Sequence, residues 1–139
     1  MLLSPPTVLI VDDDASIRML VQELLEDEGY SVVSASNGAA GLACIEAGSL
    51  GLALVDAKLP DMSGQQLCQQ VRATEQDSHL PIILFTGMLG DVKGYALAAC
   101  ADDYLTKPFD IDEMLSKVRT WVRADSAGSI LAELAGSVR

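Results

Sequence analysis

Basic residues are scarce. Of 139 residues only nine are Lys or Arg, against 20 Asp and Glu, and the formal net charge is −11. Nucleic-acid binding needs clustered Lys and Arg to neutralise phosphates, and no run of them forms a stripe here. Direct nucleic-acid binding by this chain is therefore not expected. Long apolar runs are also missing. Stretches such as Val8–Val11 and Ile82–Phe85 fall far short of the ~20 residues of a bilayer span, and no basic-then-apolar leader precedes the first of them. The expectation is a soluble, cytoplasmic protein with no membrane partner. Three cysteines, Cys44, Cys68 and Cys100, lie far apart, with no CxxC and no histidine at ligand spacing, which speaks against a zinc site. Each falls in a helical pattern and reads as a small buried hydrophobe in a reducing compartment. The single histidine, His79, sits in the polar loop His79-Leu80-Pro81 and reads as incidental, neither phosphoryl donor nor metal ligand.

What is present is core material. Half of the residues are hydrophobic, enough for one packed domain and too many for a disordered chain. Two periodicities alternate along it. Val8-Leu9-Ile10-Val11 is a short β-branched run ending in three acids, Asp12-Asp13-Asp14. Ile17, Leu20, Val21, Leu24 and Leu25 then recur at helical spacing, with Asp14 placed to cap the start and Gly29 to end the helix. The couplet repeats. Strand-like Val32–Ala35 precedes a helix near Ala39–Ala47, Leu52–Val55 one near Gln65–Thr74, and Ile82–Phe85 one near Asp91–Ala99. Tyr104–Thr106 precedes a fifth helix, Ile111–Arg123, with the stripe Ile111, Met114, Leu115, Val118 and Val122.

Five such units with short connections predict a doubly wound α/β fold: a five-stranded parallel sheet with helices on both faces. Strands covered on both faces read as continuous apolar runs, and the first, third and fourth do. The second (Ser31–Ser36) and fifth (Asp103–Thr106) are more polar and belong at the edges. The order 2-1-3-4-5, the flavodoxin-like order, satisfies this. Beyond it, Asp125-Ser126-Ala127-Gly128-Ser129 reads as a linker, and Ile130–Leu134 as at most a helical stub too short to stand alone.

The chemistry converges at one rim. Asp12, Asp13, Asp56, Thr86 and Lys107 all fall at the carboxyl ends of different strands. In an open α/β sheet that rim holds the ligand crevice, where the strand order reverses, here between the first and third strands. Two carboxylates ~4 Å apart repel by roughly 4 kcal/mol at an effective dielectric of 20, so three together call for a compensating cation. All-oxygen ligands suit Mg²⁺ better than zinc. A carboxylate beside such a cation is a competent nucleophile toward phosphorus. Transfer then depends on positioning and on neutralising the phosphoryl oxygens, for which the Lys107 ammonium and the Thr86 hydroxyl are suited.

These residues carry a resemblance. Val8–Asp14 and Val55-Asp56-Ala57-Lys58-Leu59-Pro60-Asp61-Met62-Ser63-Gly64 are similar to the acidic pair and phosphoacceptor loop of the receiver domains of two-component response regulators, the CheY-like superfamily. Phe85-Thr86-Gly87 resembles its fourth-strand hydroxyl site, and Ala101–Phe109 its fifth-strand lysine motif. The resemblance covers residues 7 to about 124. It implies a receiver domain over 1–124 with a linker or short helical tail over 125–139, and a phosphorelay switch that catalyses only its own phosphorylation and dephosphorylation. Asp56 would accept a phosphoryl group from a sensor histidine kinase or phosphotransfer protein. Mg²⁺ would be held by Asp13, Asp56 and the Lys58 backbone carbonyl, with Asp12 acting through water. Thr86 and Lys107 would stabilise the phosphoryl group, Thr86 and Tyr104 would form the switch, and the bond to Pro108 would be cis. Output would leave by the face of the fourth helix, fifth strand and fifth helix, where Lys93, Asp102, Asp103, Lys117 and Arg119 could also pair in a homodimer.

Two departures stand out. Cys100 occupies a place often held by Gly, which demands φ < 0 or tolerated strain. Lys58 and Met88 flank the site at variable positions that influence phosphoryl lifetime in the resembling family. Rival readings are weaker. Asp12-Asp13-Asp14-Ala15-Ser16 fits the opening motif of haloacid-dehalogenase-like phosphohydrolases, but a late acidic motif is replaced here by Thr-Lys-Pro. A degenerate receiver would lack part of the acid–hydroxyl–lysine set, and a flavin site would want a phosphate cradle where this chain has carboxylates.

Overall fold

The alternating runs and stripes resolve into a parallel sheet wrapped by helices. The computed structural model describes residues 5–74, 79–87, 94–96 and 100–123; the tail 125–139, Met88, Lys93 and most of the predicted fourth helix lie outside them. The strands are β1 (Thr7–Val11), β2 (Ser31–Ala35), β3 (Leu52–Asp56), β4 (Ile82–Thr86) and β5 (Asp103–Thr106). They are paired in parallel in the order β2-β1-β3-β4-β5. The doubly wound, flavodoxin-like order is thus the observed one. Helices α1 (Ala15–Asp27), α2 (Gly38–Ala47), α3 (Gly64–Thr74) and a last helix, Ile111–Trp121, alternate with the strands, and Gly94–Ala96 are helical as well.

Side-chain alternation splits the core into two layers. Leu9 and Val11 of β1, Ala53 and Val55 of β3, and Ile82 and Leu84 of β4 pack with Leu67, Cys68 and Val71 of α3. Their neighbours Val8, Ile10, Leu52, Leu54, Ile83 and Phe85 face the other way, onto Val21 and Leu25 of α1 and Met114 and Val118 of the last helix. Every residue of β3 and β4 is buried, whereas β2 and β5 are partly exposed. A strand covered on both faces has no polar alternation to show, so its sequence reads as a continuous apolar run.

Helix ends follow from particular residues. Asp14 is the N-cap of α1, its carboxylate accepting from the N–H of Ser16 at 2.8 Å. Gly29 takes a positive φ of 96° and ends that helix, with the Tyr30 N–H bonded back to the Leu25 carbonyl at 3.0 Å. Asp110 caps the last helix through the N–H of Glu113. This helix stops at Trp121 rather than Arg123, because Val122 is extended and the Arg123 N–H bonds the Gly51 carbonyl at 2.9 Å.

Cys100 departs from the helical, buried reading. It is exposed, with φ 64°, and the Ala101 N–H bonds the Ala96 carbonyl at 3.0 Å. A left-handed position of this kind favours glycine and costs another residue about 1–2 kcal/mol. The strain is held by Arg72, which donates to the carbonyls of Cys100 (2.9 Å) and Leu80 (2.7 Å) and to Asp102 (2.9 Å). Of the other cysteines, Cys68 is buried, its thiol pushed up to about 12 chiefly by burial, and Cys44 is half-buried. His79 pairs with Asp102 at 2.7 Å, beside the Arg72 contact at the start of β4.

The loop after β3 is tied to α2. Asp61 accepts the N–H groups of Gly38 (2.8 Å) and Ala39 (2.9 Å), next to the Asn37 N-cap. The Gly38 bond, then that of Ala39, hold the Asp61 carboxyl below the usual carboxylate range. A carboxyl lowered in the folded state stabilises above its unfolded pKa, and the contribution is lost as pH falls through its folded pKa. Asp61→Asn is therefore expected to lower the melting temperature at neutral pH. The gap to wild type should close in acid, below the ordinary Asp range; a gap constant from pH 7 to pH 3 would show that charge at Asp61 plays no part.

Candidate functional site

Three strand ends deliver the charged groups. Asp12 follows β1 and is fully buried, its N–H bonded to the Ala35 carbonyl and its own carbonyl accepting from Arg18. Asp56 closes β3 and is 7% exposed. Asp13 is exposed, yet a carboxylate oxygen from each of Asp12, Asp13 and Asp56 falls within one 4.8 Å cluster. From the end of β5, Lys107 bonds both buried acids, Nζ lying 2.8 Å from Asp12 Oδ2 and 3.1 Å from Asp56 Oδ2. Its peptide bond to Pro108 is cis. The Lys107 N–H also donates to the Thr86 carbonyl at 2.8 Å, locking β5 to β4 beside the cluster.

The electrostatics follow from this geometry. Burial pushes the Asp56 carboxyl up, and the Asp12 charge adds to the rise; the Lys58 N–H on Oδ1 (3.1 Å) and Lys107 oppose it without cancelling it. Burial alone would lower the Lys107 ammonium, but its bonds to Asp12 and Asp56 outweigh burial and raise it. Three carboxylates against one ammonium leave a local excess of negative charge. The donor set is all oxygen, partly open and over-charged, which fits a hard divalent cation and not a thiolate- or imidazole-seeking metal.

Asp56 opens onto a cleft of about 420 Å³ lined by Asp56, Ala57, Lys58, Thr86, Gly87 and Tyr95. The cleft keeps its shape because α3 starts hard against the end of β3. A Cβ on Gly64 would lie 2.4 Å from the Asp56 carbonyl oxygen, and the Gly64 N–H donates to Ala57 at 2.8 Å. Only glycine permits that approach.

The model of the response regulator receiver domain matches residues 8–119. The chain belongs to that family. This receiver domain is 30% identical to the chemotaxis response regulator CheY4 of Vibrio cholerae, with a TM-score of 0.78 over 85% of this chain and 99% of that one. The response regulator TrrA of Thermotoga maritima, solved with Mg²⁺-BeF, is 32% identical, with a TM-score of 0.75 over 84% of this chain and 99% of that one. The DNA-binding dual master transcriptional regulator RpaA of Synechocystis sp. is 40% identical over 120 residues, covering 85% of this chain and 49% of the regulator. The receiver domain thus spans about half the length of the curated relatives it matches. It is a signalling module of two-component type, and among the described residues no helix is long and apolar enough to cross a membrane.

Of the residues singled out from sequence, Asp12, Asp13, Asp56 and Lys107 meet in one cluster, and Lys58 and Thr86 border the cleft beside it. Tyr104 does not line the cleft. Its ring lies beneath Lys117, Nζ 4.7 Å from the centroid, and Lys117 also bonds the Tyr104 carbonyl and Asp103. Tyr95 was missed. It sits inside a plain helical pattern with no motif around it, and only the fold brings it to the cleft.

Proposed function

We propose that Asp56 accepts a phosphoryl group from the phosphohistidine of a sensor histidine kinase or phosphotransfer protein, in a Mg²⁺-dependent step, and that the receiver domain then acts as a switch. The observation that carries this reading is the Lys107 ammonium bonded at once to Asp56 and Asp12, with Asp13 in the same cluster. An Asp56 oxygen bonds to phosphorus as the phosphorus–nitrogen bond of the donor breaks, and the imidazole leaves with the bonding pair. Lys107 is placed to follow the charge onto a phosphoryl oxygen, and Thr86 to supply a hydroxyl at the cleft wall. Asp13, Asp56 and the Lys58 carbonyl would hold Mg²⁺, with Asp12 acting through an intervening water. The ion, when bound, supplies fixed positive charge against the carboxylates and the phosphoryl oxygens.

The module turns over only its own phosphoryl group, and its setting is the cytoplasm. Its switch is Thr86 turning toward the phosphoryl group while Tyr104 moves inward behind it. That motion must give up the Lys117 contact over the Tyr104 ring, so it alters the surface built by the predicted fourth helix, β5 and the last helix, where a partner or second copy docks.

The test is incubation with acetyl phosphate, with and without Mg²⁺, read by intact mass and peptide mapping. One phosphoryl group on the Asp56 peptide, absent in EDTA, is expected; labelling elsewhere or independent of metal would refute the reading. Sedimentation of the loaded sample reports on docking of a second copy.

A further inference from the structure

Tyr95 forms a wall of the cleft over Asp56 and belongs to no group already assigned a task. It sits in a helical segment anchored by the buried Ala96 next to it. The Tyr95 side chain packs against the core layer that contains Leu67, Cys68 and Val71 of α3. That layer lies beside the site because Gly64 lets α3 begin against the Asp56 backbone. The side chain is thus held between its own helical segment and the core layer beneath it, with the cleft alongside. Burial, more than the nearby Asp56 charge, raises the phenol, so it stays neutral and keeps its O–H as a donor.

We propose that Tyr95 is a positioning residue that shields phosphorylated Asp56 from water and so sets how long the signal lasts. This rests on the reading of Asp56 as phosphoacceptor. In hydrolysis a water oxygen bonds to phosphorus while the phosphorus–oxygen bond to Asp56 breaks. Asp56 leaves as carboxylate with the bonding pair, and the water protons pass to phosphate and solvent. A ring packed on the cleft wall occupies space that water would need, and excluding water slows such side reactions.

The experiment loads wild type, Tyr95→Phe, Tyr95→Leu and Tyr95→Ala with acetyl phosphate and Mg²⁺, removes the donor, and follows loss of the phosphoryl group by mass. Tyr95→Ala and Tyr95→Leu are expected to hydrolyse ~10-fold faster than wild type while labelling no more slowly, with Tyr95→Phe within about threefold. Tyr95→Leu retains apolar packing and carries the test where Tyr95→Ala melts below the assay temperature. A purely structural role would slow labelling and depress the melting temperature without hastening hydrolysis. Normal loading with unchanged lifetimes overturns the shielding role alone. Failure of wild type to load overturns the Asp56 reading and this proposal with it.

Discussion

Asp56→Asn is expected to fold normally and to take up no phosphoryl group from acetyl phosphate. The substitution keeps the shape of the side chain. Its amide oxygen can still accept from the Lys58 N–H, now bonded to Oδ1 at 3.1 Å, and Lys107 keeps its 2.8 Å contact to Asp12. One of three mutually repelling carboxylates is gone, so melting without Mg²⁺ should be no lower than in wild type. What is lost is the nucleophile. A carboxamide does not attack phosphorus at neutral pH, and labelling should fall by at least ~100-fold. Asp12 and Asp13 share the cluster, and they are the residues to which residual labelling would map. Undiminished uptake in the variant would mean that one of them, not Asp56, is the acceptor.

The fold was legible because each strand's polarity reports its coverage. Ile82–Phe85 had to be central, since both of its faces are buried. Ser31 and Ser34 placed β2 at an edge, since both are exposed there. The acid cluster was legible for a related reason: in a parallel sheet all strand ends of one kind lie on one rim, so residues far apart in sequence share a site. What was hidden depends on contacts that no local pattern encodes. Tyr95 reaches the cleft by packing on a core layer built from other elements, and Gly64 matters only because the Asp56 carbonyl oxygen lies 2.4 Å from where its side chain would start. Cys100 read both as a helical apolar residue and as the occupant of a place often held by Gly, and its φ of 64° bears out the second reading.

The charged face proposed for output differs most from its sequence reading. Asp102 does not present a free carboxylate there; Arg72, His79 and the Ile82 N–H occupy it at the start of β4. Arg119 reaches Glu28 at the end of α1, at 3.3 Å. Counting charges along β5 and the last helix could not separate those two from Asp103 and Lys117, because the separation comes from which neighbour each side chain meets. Asp103 and Lys117 remain beside Tyr104, with Trp121 donating to Asp103 at 2.9 Å. The Lys117–Asp103 pair, each side chain 23% exposed, is still open to solvent, and such a pair contributes ~0.2–1 kcal/mol by itself. Its rearrangement would therefore cost little in the proposed Tyr104 movement, which suits a switch better than a rigid anchor.

Lys107→Met is expected to be destabilised in EDTA and to gain more from Mg²⁺ than wild type does. The variant keeps an apolar stem of similar length but removes the ammonium that bonds Asp12 and Asp56. Asp12 is fully buried and Asp56 nearly so, so their charge loses its partner in a poorly solvated place. Breaking a fully buried pair costs ~3–5 kcal/mol; Lys107 is 25% exposed, and roughly 2–3 kcal/mol is expected here. Lys107 and a divalent ion compensate the same oxygens, so each weakens the need for the other. Stabilisation by a bound ion grows as RT ln(1 + [L]/Kd), about 2.7 kcal/mol at 100 times Kd. Removing the competing ammonium lowers Kd, so the Mg²⁺-induced rise in melting temperature should be larger in Lys107→Met. The same melts in NaCl of matched ionic strength separate site binding from screening. A Mg²⁺-induced rise no larger than that of wild type, or one reproduced by NaCl, would mean that Lys107 and the ion do not share the carboxylates of Asp12, Asp13 and Asp56.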